Sequence, residues 1–200
     1  MPESRRSPTK KYQRRAFNKL VRLFGEDNVE NEWDVAKKSQ DDLTRKLYCP
    51  RIDLAVGSFN TNRHIIGQSR EEIENAILRH RRFIQRLLSH SADDNRDIDE
   101  LLEARNRNPR CFLAVEIENS GTRKHMLGDI ANASIMGAIG VVVPLTEEKL
   151  RGFRKMKKYV EFATAVGKLE KPSFRNVLIV NKNDFLTVVS STVSLRRNIY

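Results

Sequence analysis

The sequence predicts an α/β protein with a mixed central sheet flanked by helices, and three observations carry that prediction. Residues 111–143 read as strand, helix, strand, the unit that links parallel neighbours through a crossover. Inside that unit, IGVVVP (residues 139–144) is apolar throughout, as in a strand covered on both faces. Along the whole chain the order is helix, strand, strand, insertion, strand, helix, strand, helix, strand.

Residues 1–9 read as a flexible basic arm. Residues 10–24 place Tyr12, Ala16, Leu20, Leu23 and Phe24 at helical spacing, and Gly25 closes the helix. NVENEWDV (28–35) suggests a short strand, with Trp33 as core, and Asp41-Asp42 opens a brief helix or loop. RIDLAVGSF, after Pro50, is a mainly apolar strand with Asp53 near its start. A polar loop over 60–67 leads to one long helix from Ser69, with Glu71 and Glu72 in its first turn, where the helix dipole favours them. Ile73, Ile77, Ile84, Leu87 and Leu88 form its buried stripe, and Arg79, Arg82 and Arg86 fall on another face. After a polar break at 90–97, a short helix from Ile98 and a loop with Pro109 complete a helical insertion spanning about 60–108.

The strand at 111–118 alternates. Cys111, Leu113, Val115 and Ile117 take one face, and Phe112, Ala114, Glu116 and Glu118 the other. The helix from Arg123 to Met136 is rich in small residues, which let it lie close on a sheet. Thr146 caps the next helix, with Glu147 and Glu148 in its first turn. NVLIV (176–180) is another buried strand, and 184–194 fits either a capped helix or a strand. Residues 10–200 thus read as one domain.

Composition narrows the function. The 200 residues carry 37 Lys/Arg against 26 Asp/Glu, a net charge of +11, which points to a polyanionic partner, most often nucleic acid. The charge is clustered. Residues 1–24 hold Arg14 and Arg15 among eight cations, Lys149–Lys158 holds Lys155 among six, and Arg82 belongs to a third group. No apolar run approaches the roughly 20 residues of a membrane span. MPESRRSPTKKYQRR lacks the apolar core of a secretory signal. Cys49 and Cys111 lie far apart in apolar settings and read as reduced residues of a cytoplasmic protein, with a single disulfide left open. The four histidines lack zinc-ligand spacing, and phosphate-loop, dinucleotide-binding and nucleophile-elbow patterns are absent.

Glu116 and Glu118 share a strand face, and Asp53 lies in an apolar strand before them. If the two strands pair, these carboxylates converge at one end of the sheet. Such crowding is costly unless a divalent cation intervenes, and an all-oxygen donor set suits Mg²⁺ or Mn²⁺. In a strongly basic chain, that combination points to phosphodiester chemistry.

Pro50-Arg51-Ile52-Asp53 followed by Glu116-Ile117-Glu118 resembles the PD-(D/E)xK nuclease superfamily, in an E-x-E form. The resemblance implies a restriction-endonuclease-like fold with its core at residues 10 to about 144. It implies a Mg²⁺-dependent DNA endonuclease, restriction-type, with Asp53 and Glu116 as metal ligands and the Ile117 carbonyl as a further donor. The family's usual lysine is replaced by Glu118. Either Glu118 binds a second metal ion or helps deprotonate water, or Lys124, at the mouth of the next helix, supplies the missing ammonium. Arg123 and Lys124 stand where a helix N-terminus can hold phosphate. His125 and Asp129, four residues apart, are positioned to pair on a helix face, or Asp129 and Asn132 brace the active-site loop. Glu26, Glu30 and Glu32 are further acids within reach. The competing expectations are a non-catalytic nucleic-acid-binding module and an RNA nuclease. Double-strand cutting would favour a homodimer.

Overall fold

A computed structural model describes residues 7–35, 49–59, 66–92, 94–168 and 174–197. The strands form one five-stranded sheet in the order β1-β2-β3-β4-β5. β1 (Val29–Asp34), β2 (Arg51–Phe59) and β3 (Cys111–Glu118) pair antiparallel. β4 (Gly137–Pro144) and β5 (Val177–Ile179) continue the sheet in parallel. The protein is therefore α/β, with a mixed sheet flanked by helices, and the predicted crossover unit joins parallel neighbours. The expected element at Asp41-Asp42 and most of the loop after Phe59 lie outside the described residues.

One face of the sheet carries α1 (Pro8–Phe24), α2 (Ile66–Arg79), α3 (Arg81–Ser89), α4 (Ile98–Glu103) and α7 (Lys182–Arg197) over a continuous apolar core. The other carries α5 (Arg123–Met136) and α6 (Glu147–Ala165). Ser7 caps α1 through Lys10 N, with Pro8 in the first turn, so helix begins inside the segment expected to be a flexible arm. The predicted long helix after Ser69 is two helices. His80 lays its ring against Phe24 (4.7 Å) and Phe112 (5.7 Å), and the chain redirects there. Because α2 starts at Ile66, Glu71 and Glu72 lie beyond its first turn, and the expected dipole stabilisation is not available to them. The ambiguous segment 184–194 is helical. Asn181 Oδ1 accepts from the Asn183 and Asp184 N–H groups at 3.0 Å and starts α7.

Side-chain alternation on β3 slips at its first two residues. Phe112 joins the core with Leu113, while Cys111 packs with Ala114, Trp33 and Met136. The cause is a register shift between β2 and β3 over Val56–Phe59. From Leu113 onward the alternation is as predicted. The small-residue reading of α5 also holds: a Cβ on Gly140 would sit 2.9 Å from the Ala133 backbone, so only glycine lets α5 approach β4 this closely. Cys111 and Cys49 are not joined in a disulfide. Among the described residues, no helix is long and apolar enough to cross a membrane.

A buried ionic cluster ties the insertion to α6. Asp94, whose side chain is only 2% exposed, accepts from Arg96 Nε at 2.7 Å and from Lys157 Nζ at 3.1 Å. Burial works against its ionisation, but Arg96 and Lys157 outweigh burial and hold its carboxyl below the usual aspartate range. Lys157 therefore serves the interior and is not available to a phosphate, although the sequence groups it with the basic cluster. Arg86 also departs from the expected exposed face. Its Nη2 donates to Ser191 Oγ of α7 at 2.6 Å, and its Nη1 is buried.

Candidate functional site

The antiparallel pairing of β2 with β3 sets Leu54 opposite Val115, which places Asp53 opposite Glu116. Directly opposed residues share a face, so both carboxyls stand at the end of the sheet where β3 runs out. Their side chains interlock with the backbone. Ile117 N–H donates to Asp53 Oδ2 at 2.8 Å, and Asp53 N–H donates to Glu116 Oε2 at 3.4 Å. From α5, Asn132 Nδ2 donates to Glu116 Oε1 at 3.3 Å. Asn132 thus holds Glu116 itself and not the loop that the sequence alternative had it brace with Asp129.

Asp129, one helical turn before Asn132, lies close enough for its charge to bear on Glu116. Its Oδ2 is buried with no hydrogen-bond partner. It does not pair with His125, whose Nδ1 instead accepts from Thr122 N–H at 3.1 Å and completes the capping box of α5. Burial, then the charges of Glu118 and Asp53, push the Asp129 carboxyl up to about 7. Burial, then Asp53 and Asp129, push Glu116 up to about 9, against the opposing bonds from Asp53 N–H and Asn132. Asp53 is raised by burial, opposed by the Ile117 N–H and reinforced by Glu32 and Glu118. Asp53, Glu116 and Asp129 form one electrostatic unit that needs protons or a cation to relieve it.

Glu118 is drawn partly away from that unit. Its Oε1 accepts from the N–H groups of Ser120 and Gly121, both at 2.6 Å, shaping the loop that leads into α5. A Cβ on Gly121 would meet the Glu118 carboxylate and His125 Cβ, so a larger residue there would displace that carboxylate. Lys149, from the first turn of α6, donates to Gly121 O at 3.0 Å and fixes the loop from outside. Among the described residues, no three His, Cys, Asp or Glu side chains are gathered as a ready metal-ligand set.

Lys124 is exposed on the first turn of α5 and makes no hydrogen bond or ion pair with the described residues. The ammonium whose charge bears on Asp53 belongs to Lys10 of α1. Lys10 pairs with Glu32, which Arg51 also holds at 3.0 Å. Burial opposes ionisation of Glu32, but the bonds from Lys10 and Gln13 and the charges of Lys10 and Arg51 keep it below the usual glutamate range. Of the three acids considered near α1, Glu32 is therefore the one beside Asp53. It lies between the pairs Asn31–Leu54 and Trp33–Ile52 with φ of 52°, a left-handed conformation rare outside glycine.

Gln13 pins this irregular point, and the sequence reading passed over it. Only 1% exposed, its Nε2 faces Asn31 Oδ1 (2.9 Å), Glu32 Oε1 (2.9 Å) and the backbone oxygen of Asp53 (3.0 Å). An amide carries two hydrogens, so three acceptors share them. The available signal was a polar residue in register with the apolar stripe Ala16, Leu20, Leu23. Gln13→Leu removes this donor from Asn31 Oδ1 and the Asp53 carbonyl, while Lys10 still holds Glu32, and is expected to cost about 1–3 kcal/mol. In urea unfolding, the midpoint should drop with the slope unchanged. A wild-type midpoint would show that the amide is not needed there.

The predicted nucleic-acid contacts do not form one surface. Arg123 and Lys155 line a groove of about 770 Å³ between α5 and α6, with Lys149, Arg151 and Tyr159. Arg14 and Arg15 open on separate recesses of α1, Arg14 beside Asn31 and Arg15 beside Ser190 of α7. Arg82 is exposed on α3, among the helices of the opposite sheet face from α5 and α6. The groove is continuous with the carboxylate loop, since Gly121 belongs to both.

Compared with protein-family models, curated proteins and solved structures, the chain matches none. The functional reading therefore rests on the residues themselves.

Proposed function

We propose that this chain is a Mg²⁺-dependent DNA endonuclease on a restriction-endonuclease-like fold. The observation that carries the reading is the opposition of Asp53 and Glu116 across β2 and β3, beside the buried, unpartnered oxygen of Asp129, whose charge bears on Glu116. This donor set is all carboxylate oxygen, the chemistry that hard divalent cations take, so the residues fit such an ion. Asp53 and Glu116 would hold it, with the Ile117 carbonyl as a further donor. Bound there, Mg²⁺ or Mn²⁺ supplies polarisation of the scissile phosphate and a more acidic water. The chain's own groups do the rest. Asn132 orients Glu116, and Gln13 fixes the peptide of Asp53. Glu118 uses Oε1 for the loop and keeps Oε2 for a proton. Arg123, Lys155 and the cations of α1 hold backbone phosphates, and Lys124 is the candidate for a developing charge.

One observation favours a non-catalytic nucleic-acid-binding module: both loop N–H groups already occupy Glu118 Oε1. Plasmid nicking with and without Mg²⁺ separates the two readings. Parallel RNA substrates test the RNA-nuclease alternative, and the ratio of linear to nicked product tests for paired sites in a homodimer. A chain that nicks nothing in Mg²⁺ or Mn²⁺ is not an endonuclease.

Binding to duplex DNA should weaken steeply with salt, with log K falling about 0.9 per phosphate contact for each unit of log salt. Arg123→Gln and Lys155→Gln should each flatten that slope by about one contact. Equal affinity at about 50 and 200 mM salt would count against nucleic acid as the partner.

A further inference from the structure

We infer that the groove between α5 and α6 binds single-stranded nucleic acid, carrying an unpaired strand away from the carboxylates. For the cleaving enzyme this rests on the reading above, but the groove itself is argued independently. Arg151, Lys155, Tyr159 and Phe162 recur at helical spacing on α6 and are all exposed. Arg151 and Lys155 lie nearer the carboxylate loop, because Lys149 of the same helix bonds Gly121 O. Tyr159 and Phe162 follow farther along, 64% and 57% exposed. From Arg151 to Phe162 the stripe spans about 16 Å at 1.5 Å per residue.

Three cations of this groove are uncommitted. Among the described residues, Arg123, Arg151 and Lys155 make no ion pair or hydrogen bond. By contrast, Lys149 and Lys157 of the same helix are engaged inside the protein. Unpaired cations beside exposed aromatic rings suit a strand whose phosphates and base faces are both accessible. A duplex offers its phosphates but keeps its bases stacked on each other. Groove cations with aromatic platforms are how unpaired strands are held without sequence preference. The floor of Met126 and Met156 adds apolar surface that a phosphate alone would not use.

The test is fluorescence anisotropy with a labelled oligo-dT and with a hairpin duplex of equal length, both in EDTA so that cleavage plays no part. Oligo-dT should bind more tightly than the hairpin. Tyr159→Ala should weaken oligo-dT binding at least about fivefold and Tyr159→Phe should restore it, since stacking needs the ring and not the hydroxyl. Arg151→Gln with Lys155→Gln should weaken both ligands. Oligo-dT affinity unchanged in Tyr159→Ala overturns the proposal. So does loss of a concentration-dependent dimer in that variant with oligonucleotide binding intact, which would assign the stripe to a second copy of the chain. A wild type that binds oligo-dT through Tyr159 yet cleaves nothing in Mg²⁺ upholds the groove and refutes the endonuclease. Wild-type cleavage with no preference for oligo-dT does the reverse.

Discussion

Asp53→Asn and Glu116→Gln should each lower Mg²⁺-dependent plasmid nicking by about a thousandfold or more. A metal ion contributes several kcal/mol to transition-state charge stabilisation, and each 1.36 kcal/mol is a factor of ten. Both substitutions keep side-chain shape, and Glu116 already sits in surroundings that favour its neutral form, so the fold should remain. A second readout does not depend on catalysis. An ion bound only by the folded state, at a hundred times its Kd, stabilises by about 2.7 kcal/mol. For a chain of this size that raises the melting temperature by about 5–11 °C. The wild type should show the rise with Mg²⁺ or Mn²⁺, and neither variant should. Asp53→Asn removes a negative charge beside the substrate path and should leave DNA binding equal or tighter, and Glu116→Gln should leave it about equal. If both variants nick plasmid at the wild-type rate, the carboxylate site is not where the chemistry happens.

The largest effect on stability is expected at Asp94. Asp94→Asn leaves Arg96 and Lys157 with charges that are mostly buried, 15% and 10% exposed, and no carboxylate between them. Breaking a buried ion pair from one side costs about 3–5 kcal/mol. The melting temperature should fall by about 6–20 °C. The pH dependence has a definite sign. The folded pKa of Asp94 is lowered, so its contribution is complete above the ordinary aspartate pKa. It is lost as pH falls through the lower folded value. Thermal melts of wild type and Asp94→Asn should therefore converge in strong acid. A constant gap down to the lowest pH at which the wild type folds would assign the loss to packing instead of charge.

Much of this protein was written in local pattern. The apolar run IGVVVP became β4 because burial on both faces tolerates no polar position. The small residues of α5 foretold its close seat on the sheet, and Trp33 is core, as its sequence context suggested. Asp53 and Glu116 were identifiable as a pair because each is an acid in an apolar strand, where a carboxyl needs a reason to be. Lys157 and Gln13 also left a trace, each being polar on an otherwise apolar helical stripe. The trace could not name their partners.

Those partners are separated by long stretches of chain. Gln13 meets Asp53 and Lys157 meets Asp94 only after the helices dock, and no spacing rule spans such gaps. Asp129 looked like a surface partner for His125, because helical spacing describes one helix and not what that helix faces. Docking of α5 on the sheet set the Asp129 charge near Glu116 and left His125 to cap the helix. The three basic clusters likewise read as one property of the composition. Tertiary structure divided them: Lys157 and Arg86 went inward, Arg82 lies among the helices of the opposite sheet face, and Arg123 with Lys155 shares a groove beside the carboxylates. Charge and hydrophobicity belong to single residues and are fixed by the sequence. Which charges meet, and which remain open to a ligand, depends on the packing of elements against one sheet.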